Sequence, residues 1–187
     1  LSFVAGPDFE SPADAGADNV YDVVVQVSDG ALTDTQALAV TVLPVNDVAP
    51  SIISDGGGAT ATVTVNENAS FITTVAASDA DLPSQSLSYA ITGGADAARF
   101  SIDASTGVLS FIAAPDFESP SDAGSNNAYD VVVQVSDGTL TDSQAIAVTV
   151  TNVNEAPVIT SGGGGTNASF AAAENQLAVA TLTATDV

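Results

Sequence analysis

LSFIAAPDFESPSDAGSNNAYDVVVQVSDGTLTDSQAIAVTVTNVNE, residues 109–155, is the stretch on which the reading of this chain turns. It already stands at residues 1–47 as LSFVAGPDFESPADAGADNVYDVVVQVSDGALTDTQALAVTVLPVND, and 35 of the 47 aligned positions are identical without a gap. A match of that density at an offset of 108 residues is an internal repeat, and a repeat decides the architecture before any local pattern is weighed. After a one-residue deletion the offset becomes 107: Ala49-Pro50 matches Ala156-Pro157, Glu67-Asn68 matches Glu174-Asn175, and Asp79 matches Asp186. The expected organisation is the C-terminal part of one repeat (1–47), a complete repeat (48–155) and the N-terminal part of a third (156–187).

Inside the complete repeat the pattern has period two. Leu87, Tyr89 and Ile91 alternate with small or polar residues, as do Tyr129, Val131 and Val133, and then Ile146, Val148 and Val150. Residues 60–65, 71–77, 100–102 and 108–112 read as further strands. Gly107 is expected to supply a positive φ in the turn 103–107, and Ser136-Asp137-Gly138 to close a hairpin between the last two strands. No segment carries a helical stripe. About seven short strands in a unit of this size predict an all-β, Ig-like Greek-key sandwich, repeated in tandem.

Composition narrows the function. The chain of 187 residues has 23 acidic residues, a single basic one (Arg99), no His and no Cys, for a formal net charge of −22. Nucleic acid, which is bound through clustered Lys and Arg, is excluded, and an anionic membrane surface repels such a molecule. No apolar run reaches the length of a membrane span. With 45% hydrophobic residues and many β-branched ones, the chain is predicted to fold despite its charge. Without cysteine it has neither disulfides nor thiolate ligands, so a metal held by oxygen is the available staple. Triads, Schiff bases and zinc sites need side chains that are missing. A carboxylate pair of the glycosidase type is conceivable, but the acids recur at strand ends in each repeat rather than converging on one pocket. The chain is read as not an enzyme.

The acids fall in an ordered set: Val-Asn-Glu67-Asn68, Asp79-Ala-Asp81, Pro-Asp116-Phe-Glu118, Val-Ser-Asp137-Gly138 and Val-Asn46-Asp47-Val-Ala-Pro50. This set, occurring twice, resembles the motifs of cadherin-type repeats, here of the kind found in large bacterial surface adhesins. The resemblance implies a cadherin-like sandwich, an extracellular or cell-surface location, and calcium bound between consecutive repeats. Carried over residue by residue, it implies that the first junction takes Asp8, Glu10, Asn46 and Asp47 from one side and Asp79, Asp81 and Asp137 from the other. The second takes Glu67, Asp116, Glu118, Asn154 and Glu155, meeting Asp186. The sequence departs from the family at the linker, which begins with Pro44 in one copy and Asn152 in the other where the family has an acid, and which has Val48 in place of the second Asn. A polar loop at 119–127 is a further addition, with Asp122 as a secondary candidate ligand.

Calcium chemistry agrees with this assignment. The ion takes six to eight oxygen ligands, these motifs offer only oxygen, and acids two apart on an extended segment face the same way. About two or three divalent ions cancel the charge of the first junction, with affinity on the order of 10⁻⁴ to 10⁻³ M or tighter. Scattered acids such as Asp14, Asp18, Asp34, Asp96 and Asp142 are read as solubilising charge. The expected function is a calcium-stiffened spacer or adhesion module, serving cell adhesion or biofilm formation, whose partners are calcium and the neighbouring repeats. One alternative is a calcium-dependent polysaccharide binder using the loop 119–127, although that loop has no aromatic to stack on a sugar. Another is assembly between identical chains, since 1–47 supplies late strands and 156–187 early ones.

Overall fold

The computed structural model describes residues 1–186. Its strands are β1 (Val20–Ser28), β2 (Thr33–Thr41), β3 (Ser51–Ile52), β4 (Thr60–Asn66), β5 (Phe71–Thr74), β6 (Ala77–Ser78), β7 (Ser88–Gly93), β8 (Phe100–Ile102), β9 (Val108–Phe111), β10 (Ala128–Ser136), β11 (Thr141–Thr151), β12 (Val158–Ile159) and β13 (Ala184–Thr185). Helical structure among the described residues is confined to two single 3₁₀ turns, Ala97–Arg99 and Ser161–Gly163.

Strands β3 to β11 build a two-sheet sandwich. One sheet has the order β4-β11-β10-β7, with β4 parallel to β11 and the other pairs antiparallel; the second has the order β5-β9-β8. The period-two pattern explains the packing, because alternate residues of a strand face opposite sides of its sheet. Tyr129, Val131, Val133 and Val135 of β10 and Ile146, Val148 and Val150 of β11 are all buried, and they meet Ile72, Phe100, Leu109 and Phe111 from the other sheet. Phe111 packs edge-on to Tyr129 with ring centroids 5.1 Å apart and stacks on Phe100 at 4.9 Å. Each such side chain removed from water contributes roughly 1.5–3 kcal/mol, so even a core this rich in valine holds the sandwich.

Two expectations are corrected in detail. The run 71–77 is not one strand: β5 pairs with β9, β6 pairs with β3, and the fully buried Val75 between them donates its N–H to Gly107 O at 2.9 Å. The chain changes ladders there while its apolar pattern continues, which is why it reads as unbroken. The β10–β11 hairpin exists, but its loop spans the four residues 137–140 rather than a tight Asp-Gly pair. Asp137 Oδ1 accepts the N–H groups of Thr139 and Leu140 at 2.6 and 2.7 Å and fixes that loop.

The flanking segments copy parts of this unit. β1 and β2 pair in the register of β10 and β11, Val20 opposite Thr41 and Ser28 opposite Thr33, just as Ala128 faces Thr149 and Ser136 faces Thr141. Likewise β12 and β13 pair as β3 and β6 do.

Candidate metal centre

Three segments converge where β2 hands over to the sandwich. The linker following β2 carries Asn46 and Asp47, the segment after β6 carries Asp79 and Asp81, and the β10–β11 loop carries Asp137. Glu10 joins them from the polypeptide before β1. Carboxylate oxygens of Glu10, Asp47 and Asp81 lie within 4.8 Å of one another, and so do those of Asp79, Asp81 and Asp137. Asp81 belongs to both groups.

The hydrogen bonds explain how these side chains are held. Asp81 accepts the linker N–H of Val48 through both oxygens, at 3.3 and 3.2 Å. Glu10 Oε1 accepts the N–H of Leu82 at 3.0 Å, and Asp79 Oδ1 that of Asp81 at 3.1 Å. Asp79 Oδ2 is buried with no hydrogen-bond partner. The Asn46 amide faces Asp137 Oδ2 and Asp81 Oδ2 at 3.1 and 3.2 Å. With its nitrogen inward it donates to both.

Electrostatics are adverse for an empty cluster. Burial pushes the Asp81 carboxyl above the ordinary carboxylate range; the Val48 N–H opposes this, while the charges of Asp79, Asp47 and Glu10 add to it. Burial acts upward on Asp137 as well, but there the N–H groups of Leu140 and Thr139 and the Asn46 amide outweigh it and hold the group low. The chain's single basic side chain, Arg99, belongs to the 3₁₀ turn before β8. A set of oxygen donors from four segments, with one buried oxygen orphaned, suits a hard divalent cation of calcium type.

A second group gathers Glu67, Asp116 and Glu118, again within 4.8 Å. Glu67 is buried, and the N–H groups of Phe117 and Val153, at 2.8 and 2.7 Å, hold its carboxyl below the usual range. Asn152 donates its side-chain amide to Glu118 Oε1, and Asn68 donates to Glu155 Oε1 at 2.9 Å. Sequence reasoning left Asn68 out of the ligand set and treated Asn152 as a missing acid; the linker position of Asn152 was the available signal.

Not every candidate lies in these groups. Asp8 caps its own turn, accepting the N–H groups of Glu10 and Ser11 through Oδ1. Asn154 bonds through Nδ2 to the carbonyl of Glu155 at 3.2 Å. Asp186 is exposed, directly after β13. Asp122, the secondary candidate ligand, is outside these groups, and its two oxygens hold the N–H groups of Asn126 and Asn127 at 3.0–3.1 Å. Three of the acids read as solubilising charge are loop anchors as well. Asp96 is buried and accepts from Ala123 and Asp130, Asp142 accepts from Ile52, and Asp14 accepts from Gly16, Asp18 and Asn19.

The family model described as cadherin domain matches residues 61–153, which run from β4 to the linker after β11. These residues form a cadherin domain. The chain is 29% identical over 153 residues to protocadherin Fat 1 of Homo sapiens, covering 78% of this chain and 3% of that protein. It is 42% identical over 77 residues to halomucin of Haloquadratum walsbyi, covering 40% of this chain and 1% of that protein. The chain therefore spans a few per cent at most of the curated relatives it matches. Among solved structures, the extracellular cadherin domains 1–5 of protocadherin gamma B2 superpose with a TM-score of 0.57 at 25% identity, over 76% of this chain and 28% of that one. Mouse cadherin-23 EC22-24 gives 0.55 at 20% identity, over 76% and 45%. The cadherin fold thus extends beyond the matched domain, and among the described residues no helix is long and apolar enough to cross a membrane.

Proposed function

We propose that the chain is a calcium-stiffened spacer and adhesion module of a large extracellular surface protein of the bacterial adhesin type, with no catalytic role. The carrying observation is Asp81, which shares its carboxylate between two oxygen clusters drawn from both sides of the linker. Glu10, Asn46, Asp47, Asp79, Asp81 and Asp137 hold the ion or ions at the first junction, and Glu67, Asp116 and Glu118 supply the second group, to which Glu155 at the end of the same repeat and Asp186 of the following segment are added. Calcium supplies the positive charge that neutralises the cluster. The residues themselves fix the path of the linker through the Val48 N–H and cap the loops that carry the carboxylates. Relatives of which this chain spans 3% and 1%, and the likeness to a run of extracellular cadherin domains in protocadherin gamma B2, support a rod of such units.

The test is calcium titration of the chain by calorimetry, combined with small-angle scattering and digestion by a protease of broad specificity. A trypsin assay is unsuitable, because the chain's one basic residue, Arg99, lies away from the linker. Binding of calcium together with a narrower range of shapes and protection of the linker around Val48 is expected. A linker cut equally fast with calcium and with chelator overturns the stiffening role.

A further inference from the structure

The side of the complete repeat carries a cleft of about 300 Å³ between the end of β9 and the loop 119–127, a size that suits a small ligand. Every residue that lines it lies between Ala98 and Tyr129, inside the complete repeat. Arg99 is on its wall, the one basic side chain set against 23 acids. Arg99 is exposed and forms no ion pair among the described residues. The cation of this chain is therefore free to meet a ligand, and the cleft beside it is where a ligand can sit.

The lining narrows the chemistry of that ligand. Phe111 and Tyr129 also border the cleft, but they are only 3% and 1% exposed, so little apolar area is left to hold a hydrophobic side chain. What a ligand meets instead is Arg99, the acid Asp116 and the serines Ser119 and Ser121. The Tyr129 hydroxyl accepts the Ser121 N–H at 3.2 Å and lies 3.5 Å from Ser121 Oγ, which fixes that serine in place. Tyr21 accepts the N–H of Ala13 in the same way, so the tyrosine contact is structural and the serine hydroxyl is an addition of the complete repeat. Apolar surface lies outside the cleft floor. The Ile112 N–H donates to Arg99 O at 2.8 Å, which sets the two residues side by side, and Ile112 is 67% exposed. Phe71, paired with Ser110 two positions before Ile112, is 57% exposed and brings an aromatic ring to the same face of the sheet.

We infer that this cleft binds a carboxylate-bearing sugar residue, a uronate, of an otherwise neutral glycan, with Arg99 pairing the carboxylate, Ser119 and Ser121 meeting the hydroxyls, and Ile112 and Phe71 receiving the C–H faces of the rings. A guanidinium matches a carboxylate with two parallel hydrogen bonds, a geometry no other side chain here can offer. Asp116 repels a carboxylate and accepts from a hydroxyl, so it sets which edge of the sugar turns toward Arg99. The net charge of −22 repels a polymer with a carboxylate on every residue, which limits the ligand to an isolated uronate. The site extends the adhesive side of the proposed function and needs no calcium.

The experiment titrates the isotope-labelled full chain with methyl glucuronide and, separately, with methyl glucoside, in chelator and in calcium, and follows backbone amide signals. Glucuronide should shift the signals of Ile112, Ser119 and Ser121 in both conditions, with the glucoside weaker by on the order of tenfold or more, since it lacks the charged acceptor. Arg99→Gln should abolish these shifts and Arg99→Lys retain part of them. Both variants should leave the thermal transition unshifted, because the side chain is exposed. Phe71→Ala should weaken a glucuronide-terminated disaccharide and spare methyl glucuronide. Equal binding of glucuronide and glucoside, binding that survives Arg99→Gln, or no shift at the solubility limit of the glucuronide overturns the inference. Tighter binding of an acetylated dipeptide with a free C-terminus overturns it in favour of a peptide carboxylate. Glucuronide binding seen only with calcium overturns it by placing the sugar on the ion, whereas glucuronide binding by a chain that fails to bind calcium upholds it and removes the metal reading alone.

Discussion

Glu10 accepts the backbone N–H of Leu82 at 3.0 Å through Oε1, across 72 positions of sequence. That single bond ties the polypeptide before β1 to the segment after β6, and the residue it holds in place is the neighbour of Asp81. The linker N–H of Val48 reaches the same Asp81 from a third direction. The junction therefore has a hydrogen-bonded frame of its own, and the carboxylates it brings together are a cost which a cation converts into a bond.

This opposition gives Asp81→Asn opposite signs in two conditions. In chelator the substitution removes a buried charge facing Asp79, Asp47 and Glu10, so the melting temperature should rise. With saturating calcium it removes a ligand shared by two clusters, so the calcium-induced gain in melting temperature should largely vanish and affinity fall on the order of tenfold or more. Scanning calorimetry in both conditions is the check. The same loss with and without calcium would refute the shared-ligand role.

Asp122 is expected to behave as a structural carboxylate, indifferent to calcium. Asp122→Ala leaves the N–H of buried Asn127 without its acceptor and should cost about 1–3 kcal/mol in either condition. The sign of its pH dependence follows from the balance on the group. Burial acts upward, but the N–H groups of Asn126 and Asn127 outweigh it and leave the carboxyl below its ordinary value of 3.8. A depressed group contributes stability that is complete above 3.8 and is lost as pH falls through its lower folded value. Denaturant titrations from neutral pH to below that range should show the wild type losing stability where Asp122→Asn shows a shallower fall.

The sandwich was legible because burial writes itself into alternation: Val131, Val133 and Val135 could face inward only together. The repeat told the same story twice, and the acidic strings at strand ends marked the segments that meet at the linker. Other features left no such trace. The ladder change at Val75 is hidden by an unbroken apolar run, and β3 is too short for a period to show. Asp96 and Asp142 read as surface charge, and Asp122 as a spare ligand, because a carboxylate that anchors a loop has the same letter as one facing water or a cation. Their partners are backbone N–H groups, which every sequence contains and none displays.

Glycine 107 and glycine 138 both have positive φ, 70° and 101°, but their surroundings differ. A Cβ on Gly107 would lie 2.2 Å from the carbonyl oxygen of Val75, the point where the chain changes ladders, whereas one on Gly138 meets nothing within 4 Å. Gly107→Ala should therefore destabilise the repeat by at least about 2 kcal/mol, and Gly138→Ala by about 1 kcal/mol from backbone strain alone. Equal costs in chemical denaturation would mean that the close approach to Val75 is relieved by movement of that segment.

The second acidic group offers a gain-of-function test. Asn152 follows β11 at the linker position occupied by Pro44 in the first copy, and its amide bonds to Glu118 beside Glu67 and Asp116. Asn152→Asp replaces that donor with a fourth negative charge. In chelator the like charges should lower the melting temperature; with calcium the extra oxygen should raise affinity by several-fold to about tenfold, since affinity in oxygen sites follows the charge of the ligand set. Placed in a chain that also carries Asp81→Asn, the substitution reports on the second group with the first disabled. Calorimetric titration of that pair should show tighter binding than Asp81→Asn alone, and an unchanged affinity would mean that the Glu67 group is held together by Asn152 as a hydrogen-bonded cluster and not as a cation site.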